Sequence, residues 1–233
     1  NQVEEILDIL NIGRSLQSSL DLSGTGRQGA ILSLLHPTKV PAWFKQEVRA
    51  FMSEKWSLEA DDAIRAHPLF NEVMAKTKAY FAPAREATLK GAEELYASRA
   101  ARRLPFIRRS ERGFFTYLNQ ARWTALLDGY QALKAQGATD EMFELFGKFV
   151  DIATGRGRIP QSLEKFTPVL NALLFSPKLQ ASTLQLPRQL GRMLLSKNPY
   201  IRKEGAKALV TFVGGGVGLL SLINTFGNKV EID

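Results

Sequence analysis

The 233-residue chain contains no cysteine and only two histidines, His36 and His67. Disulfides, thiolate catalysis and cysteine-ligated zinc or iron–sulfur sites are therefore excluded. The sequence also lacks a Walker A motif, an H-E-x-x-H motif and a G-x-S-x-G motif. Adjacent acids such as Asp61 and Asp62 point apart on a helix, so they do not share a catalytic site. We predict a non-enzymatic chain that needs no cofactor and no metal.

The period-two alternation of apolar and polar residues that marks a half-buried strand is also absent. Apolar residues recur instead at helical spacing, and proline and glycine separate the helical segments. One such apolar stripe consists of Trp123, Leu126, Leu127, Tyr130 and Leu133. The sequence predicts an all-α, irregular multi-helix bundle of about eight to ten helices. We divide it into residues 1–157 and residues 158–233, and we leave open that both belong to one continuous domain.

Capping residues and prolines predict where several helices begin. Ser57 is the candidate N-cap of a helix over residues 58–67. Ser110 is expected to begin a long helix after a break at Pro105, and Gly137 is expected to end it. Asn198 followed by proline is typical of a cap and a first-turn proline, and it predicts a further helix.

The segment "GTGRQG" at residues 24–29 matches the dinucleotide-binding pattern G-x-G-x-x-G. That pattern has meaning only between a strand and a helix. Residues 2–20 have helical periodicity, so no strand precedes the glycines. We interpret the segment as a loop that leads into a short apolar helix ending near Pro37.

Positive charge exceeds negative charge, with 31 Lys and Arg against 23 Asp and Glu, for a net charge of +8. A basic surface favours phosphate-bearing or anionic-lipid partners, and solubility is the alternative explanation. The densest basic stretch, residues 98–112, has aromatic residues between its arginines. Its candidate nucleic-acid-binding residues are Arg99, Arg102, Arg103, Arg108, Arg109 and Arg112. The alternative is that these arginines pair with acids inside the fold.

Residues 208–227 contain no charged residue and follow a second basic stretch, residues 187–207. This uncharged length reaches the lower limit of a membrane span, and the flanking basic residues are typical of interfacial anchors. Glycines and polar residues within it favour the alternative, a buried and closely packed helix. The candidate membrane or partner contacts are Leu219, Leu220, Leu222 and Ile223.

Three segments taken together resemble one known family. They are "SLDLS…RQGAIL…HP" at residues 19–37, "LYASRAARRLPFIRRSERGFFTYLNQAR" at residues 95–122 and "DIATGRG" at residues 151–157. The family is the large polyvalent protein-associated domain of very large tailed-phage and prophage proteins. The similarity extends from residue 19 to the end of the chain, and its specificity comes from the order of short, non-catalytic motifs. The loop over residues 24–29 departs from the family, in which it is usually not glycine-rich.

The resemblance implies a helical module of an internal, ejection-type bacteriophage protein that is packaged in the virion and aids genome delivery. The implied partners are DNA, a membrane, or other virion proteins of the portal, tail or ejection apparatus, within an oligomeric assembly. The implied locations are the virion and then the host cell envelope or cytoplasm. The alternative is a module that binds or protects DNA in the host after injection. The acidic start without Met, and a family domain that continues beyond residue 233, predict a fragment of a larger protein.

Overall fold

The computed structural model describes residues 29–81, 105–157 and 177–227. Within these ranges the chain forms eight α-helices and no strand. The helices are α1 Ala30–Leu35, α2 Val40–Met52, α3 Glu54–Arg65, α4 Phe70–Thr77, α5 Pro105–Ala135, α6 Asp140–Ala153, α7 Pro177–Leu194 and α8 Pro199–Gly227. The predicted all-α multi-helix bundle is confirmed.

Helix α5, with 31 residues, is the axis of the bundle. Helices α1, α2, α3, α4 and α6 all contact it, and α7 then packs on α6 while α8 packs on α7 and α1. The predicted stripe along α5 faces this core, with Leu126 and Leu133 fully buried and Leu127 partly buried against it. The helical spacing of apolar residues therefore identified the buried side of the longest helix.

Residues on both sides of the proposed division at residue 157 share one hydrophobic core. Leu186, Leu190 and Met193 of α7 belong to the same buried cluster as Phe146 and Phe149 of α6. A polar contact joins the same two helices, since the Gln189 side-chain amide donates to the Leu145 carbonyl at 2.8 Å. Helices α7 and α8 are thus held to the rest of the bundle by continuous packing.

Two predicted helix starts are wrong. Ser57 lies inside α3, because Ser53 takes the capping position and its hydroxyl accepts a hydrogen bond from the Trp56 amide at 3.2 Å. Ser110 lies inside α5, which begins at Pro105, since the fixed φ of proline suits a first helical turn. Both inner serines are buried instead of capping.

Two other predicted boundaries are confirmed. The Asn198 side-chain oxygen accepts a hydrogen bond from the Ile201 amide at 3.1 Å, as an N-cap of α8 should. Helix α5 ends at Ala135, and Gly137 follows with a φ of +62°, a conformation that glycine adopts without strain. The short apolar helix expected before Pro37 is α1.

Among the described residues, the largest fully buried side chain belongs to Arg122, in the middle of α5. Its Nε donates to the Thr154 hydroxyl at 2.9 Å and one terminal nitrogen donates to the Thr154 carbonyl at 3.2 Å. A buried guanidinium requires such hydrogen bonds to offset the loss of water. Arg122 therefore ties α5 to the end of α6 and has no access to an external partner.

Candidate nucleic-acid interface

The six predicted nucleic-acid-binding arginines fall into three groups. Arg99, Arg102 and Arg103 lie outside the described residues. Arg108 and Arg109 are exposed near the beginning of α5, and Arg112, one turn further on, is half-buried. Of the three arginines that the structure describes, only Arg108 and Arg109 are exposed enough to contact a macromolecular partner.

Arg112 is an internal link between α5 and the end of α2. Its Nε donates to the Ala50 carbonyl at 2.8 Å and Nη2 donates to the Phe51 carbonyl at 3.0 Å. These carbonyls belong to the last turn of α2, where intrahelical donors are missing. The Glu54 carboxylate lies 3.6 Å from Nη1, and burial lowers the pKa of Arg112. This geometry corresponds to the alternative interpretation of the basic stretch, in which an arginine serves the fold.

Arg108 and Arg109 differ from Arg112 because their guanidinium groups stay in solvent. Arg108 approaches the Glu54 carboxylate only to 4.0 Å, and Glu54 is itself largely exposed. Arg109 forms no salt bridge with any residue in the described part of the chain. An arginine fork without an internal partner is suited to binding phosphate. The beginning of a helix also has a positive potential, which adds to that of the two side chains.

A second basic surface lies on the hairpin of α7 and α8. Residues 177–227 contain seven Lys and Arg and a single acid, Glu204. Glu204 is 5% exposed, and its carboxylate accepts a hydrogen bond from Lys207 Nζ at 2.7 Å. The remaining basic side chains that are described are exposed and form no salt bridge with the described residues. These hairpin cations are Arg188, Arg192, Lys197, Arg202 and Lys203.

The hairpin cations lie in the connection between α7 and α8 and on either side of it. Arg188 and Arg192 are four residues apart on α7, so they lie on the same side of that helix. Lys197 lies in the connection between α7 and α8, and Arg202 Nη1 reaches the Ser196 carbonyl in the same connection, at 3.5 Å. The result is a positively charged end of the hairpin, whose own described residues include no exposed carboxylate.

Several basic residues elsewhere on the bundle are paired with close carboxylates. Lys76 Nζ lies 2.6 Å from the Asp140 carboxylate, and Lys134 Nζ lies 2.9 Å from that of Glu72. The Tyr130 hydroxyl also donates to Glu72, and the two hydrogen bonds lower the pKa of that carboxyl. The positive charge of the molecule is therefore uneven: in the described part of the chain, cations without a close carboxylate lie on the hairpin, at Arg109 of α5 and on α2.

The predicted contacts Leu219, Leu220, Leu222 and Ile223 lie on α8, but their side chains are outside the described residues. Helix α8 continues through the whole uncharged segment to Gly227. Within the part of the chain whose side chains the structure describes, no helix is long and apolar enough to cross a bilayer. The proposed contact of these four residues with a membrane or partner stays a prediction.

The histidines and carboxylates of the described part serve packing. His36 is half-buried, with its ring 6.2 Å from that of Trp43, and burial lowers the pKa of its imidazole. His67 Nδ1 accepts a hydrogen bond from the Leu69 amide at 3.2 Å. Within the described ranges, no group of three acids or histidines is placed to bind a metal.

The hairpin cations form a site that the sequence alone does not assign. The sequence shows that residues 187–207 are basic. Because they precede the uncharged segment, the sequence favours their interpretation as interfacial anchors of a membrane span. The sequence does contain a signal for the site. Residues 177–227 have seven Lys and Arg but a single acid, so most of these cations have no carboxylate partner within the segment. What required the structure was the burial of Glu204, which removes the only carboxylate of residues 177–227 from the surface.

Comparison with known proteins identifies no relative: no protein-family model, no curated protein and no solved structure matches this chain. The family resemblance therefore stays a prediction based on the three sequence segments.

Proposed function

We propose that this chain is a non-enzymatic helical module that binds the phosphate backbone of DNA, as part of an internal virion protein of a tailed phage. The observation that carries the DNA contact is the charge of the α7–α8 hairpin. Its single acid, Glu204, is buried beside Lys207, while the hairpin cations remain exposed. Arg108 and Arg109 add a second exposed basic site on α5.

Unpaired surface cations favour a polyanion over a neutral partner, because binding releases the counterions that the polyanion holds. Contacts to phosphate carry no sequence information, so this site binds DNA of any sequence. Such binding fits a protein packaged beside the genome, which is the setting that the family resemblance implies. A module that acts on DNA after injection would use the same contacts, and detection of the chain in purified virions separates the two settings.

The test is a salt series of binding to two unrelated DNA duplexes. Removing one cation that binds a phosphate reduces the slope of log K against log salt by about 0.9. The variants Arg192→Gln/Lys203→Gln and Arg108→Gln/Arg109→Gln should therefore each flatten the slope by about 1.8, equally for both duplexes.

The matched control is Lys76→Gln/Lys134→Gln, which removes two exposed cations that already have carboxylate partners. We expect this variant to keep the wild-type slope. The proposal fails if the wild-type chain does not bind DNA at low salt, or if the control changes the slope as much as the two test variants.

A further inference from the structure

A stripe of exposed apolar side chains runs along more than two turns of α2. Phe44, Val48 and Met52 are 49%, 46% and 71% exposed. They are spaced by four residues, which places them in one stripe along the helix. Large apolar side chains exposed singly are ordinary, but a contiguous stripe marks a surface that meets a partner.

The stripe continues onto α5. The ring of Phe51 lies 5.7 Å from the ring of Phe106 in an edge-on arrangement, and Phe106 is itself exposed. Phe51 is a neighbour of both Val48 and Met52 on α2. Because Phe106 contacts Phe51, it extends the same apolar surface onto α5. We refer to Phe44, Val48, Met52 and Phe106 as the apolar stripe.

Cations border the apolar stripe. Lys45 and Arg49 follow Phe44 and Val48 in sequence and are exposed, and the Arg49 guanidinium stacks over the Trp56 ring at 4.6 Å. The only acid of α2, Glu47, is buried against the rest of the bundle. The exposed side of α2 is therefore apolar and basic, without a carboxylate.

We propose that the apolar stripe with Lys45 and Arg49 docks on the surface of an anionic lipid bilayer. Apolar side chains beside lysine and arginine are the composition of helices that lie in the membrane interface. The cations attract anionic head groups while the apolar side chains enter the boundary of the acyl region. A DNA backbone explains the cations but gives the exposed Phe and Met side chains nothing apolar to contact. This docking is a surface contact of a folded helix, distinct from the DNA-binding residues of the hairpin.

The test is cosedimentation with phosphatidylcholine vesicles made with and without phosphatidylserine. We expect the wild-type chain to bind only the vesicles that contain phosphatidylserine. Each basic residue at the surface contributes about fivefold to the partition, so Lys45→Gln/Arg49→Gln should weaken binding about thirtyfold. Phe44→Ser/Met52→Ser should weaken it at least as much, because serine at both positions leaves no apolar group there to enter the bilayer.

The matched control is Leu184→Ser on α7, which alters an apolar side chain that is 82% exposed on a different helix. It should bind vesicles like the wild type, and thermal melts should show that all variants are folded. The two α2 variants should bind DNA with the same slope of log K against log salt as the wild type. A loss of vesicle binding is then distinguishable from a loss of DNA binding by the hairpin.

The proposal is overturned if the wild-type chain stays in the supernatant, or if Phe44→Ser/Met52→Ser sediments with vesicles as the wild type does. A wild-type dimer that this variant converts to a monomer would also overturn it, because a second copy would then cover the stripe. Loss of DNA binding with unchanged vesicle binding would assign the surface to DNA instead.

Discussion

Gly147 is a position where α6 packs directly against the backbone of Thr77, the last residue of α4. A Cβ atom built at this glycine would lie 2.1 Å from the Thr77 carbonyl oxygen, whereas ordinary contact begins at 3.4 Å. The neighbour cannot rotate away, because it is backbone and because the Thr77 hydroxyl is itself bonded to the Val73 carbonyl at 2.8 Å. Gly147→Ala therefore forces the two helices apart by about 1.3 Å.

Overpacking of this kind costs about 1 to 3 kcal/mol, and a clash with backbone belongs at the upper end. The better helix propensity of alanine offsets about 0.5 to 1 kcal/mol of that cost. We expect Gly147→Ala to lower the free energy of unfolding by about 2 kcal/mol, which for a chain of this size lowers Tm by about 4 to 8 °C.

The matched control is Gly191→Ala in α7, where no heavy atom lies within 4 Å of the added Cβ. Only the propensity gain applies there, so we expect stability to rise by about 0.5 to 1 kcal/mol. Thermal and urea melts followed by the helical circular dichroism signal measure both variants. If Gly147→Ala melts at or above the wild-type temperature, the close contact between α6 and Thr77 is refuted.

Three further predictions concern single side chains. Arg112→Gln should lower stability by about 1 to 3 kcal/mol in a urea melt, because it leaves carbonyls of α2 without a donor, and should leave the salt slope of DNA binding unchanged. Asn198→Ala should cost about 1 kcal/mol in the same melt, because it removes the N-cap of α8. Burial lowers the pKa of His36 below its ordinary 6.5, although the nearby acids Glu204 and Asp128 raise it. As pH falls, the unfolded chain therefore binds a proton at this histidine before the folded chain does. Stability should therefore fall as pH drops through 6.5, and His36→Gln should reduce that fall in a series of melts; an equal fall in the variant would contradict the assignment.

The fold class and the buried side of the long helix were predictable because apolar spacing reports them directly. The stripe that contains Leu126 and Leu133 needed only the period of the helix. Helix starts were less predictable, because several nearby residues are able to begin a helix. Ser53 and Ser57 are both good caps, but the Ser57 hydroxyl is hydrogen-bonded to the Thr116 hydroxyl inside the fold, at 2.9 Å.

The candidate site was predictable in composition but not in detail. The sequence identifies the basic stretches, but three-dimensional contacts decide which cations are free. Arg109 and Arg112 are three residues apart in one helix, yet only Arg112 reaches the end of α2. Likewise, Glu204 appears in the sequence as a surface acid within a basic stretch, and its burial beside Lys207 depends on packing of α8.

The most direct test of the DNA-binding proposal is lysine acetylation of the chain with and without saturating duplex DNA, measured by mass spectrometry. Lys197 and Lys203 are exposed and unpaired within the described residues, while Lys76 and Lys134 are paired with carboxylates. The proposal predicts that DNA slows acetylation of Lys197 and Lys203 several-fold and leaves the rates at Lys76 and Lys134 unchanged. Equal protection of all four lysines, or unchanged rates at Lys197 and Lys203, would contradict binding of DNA by the hairpin.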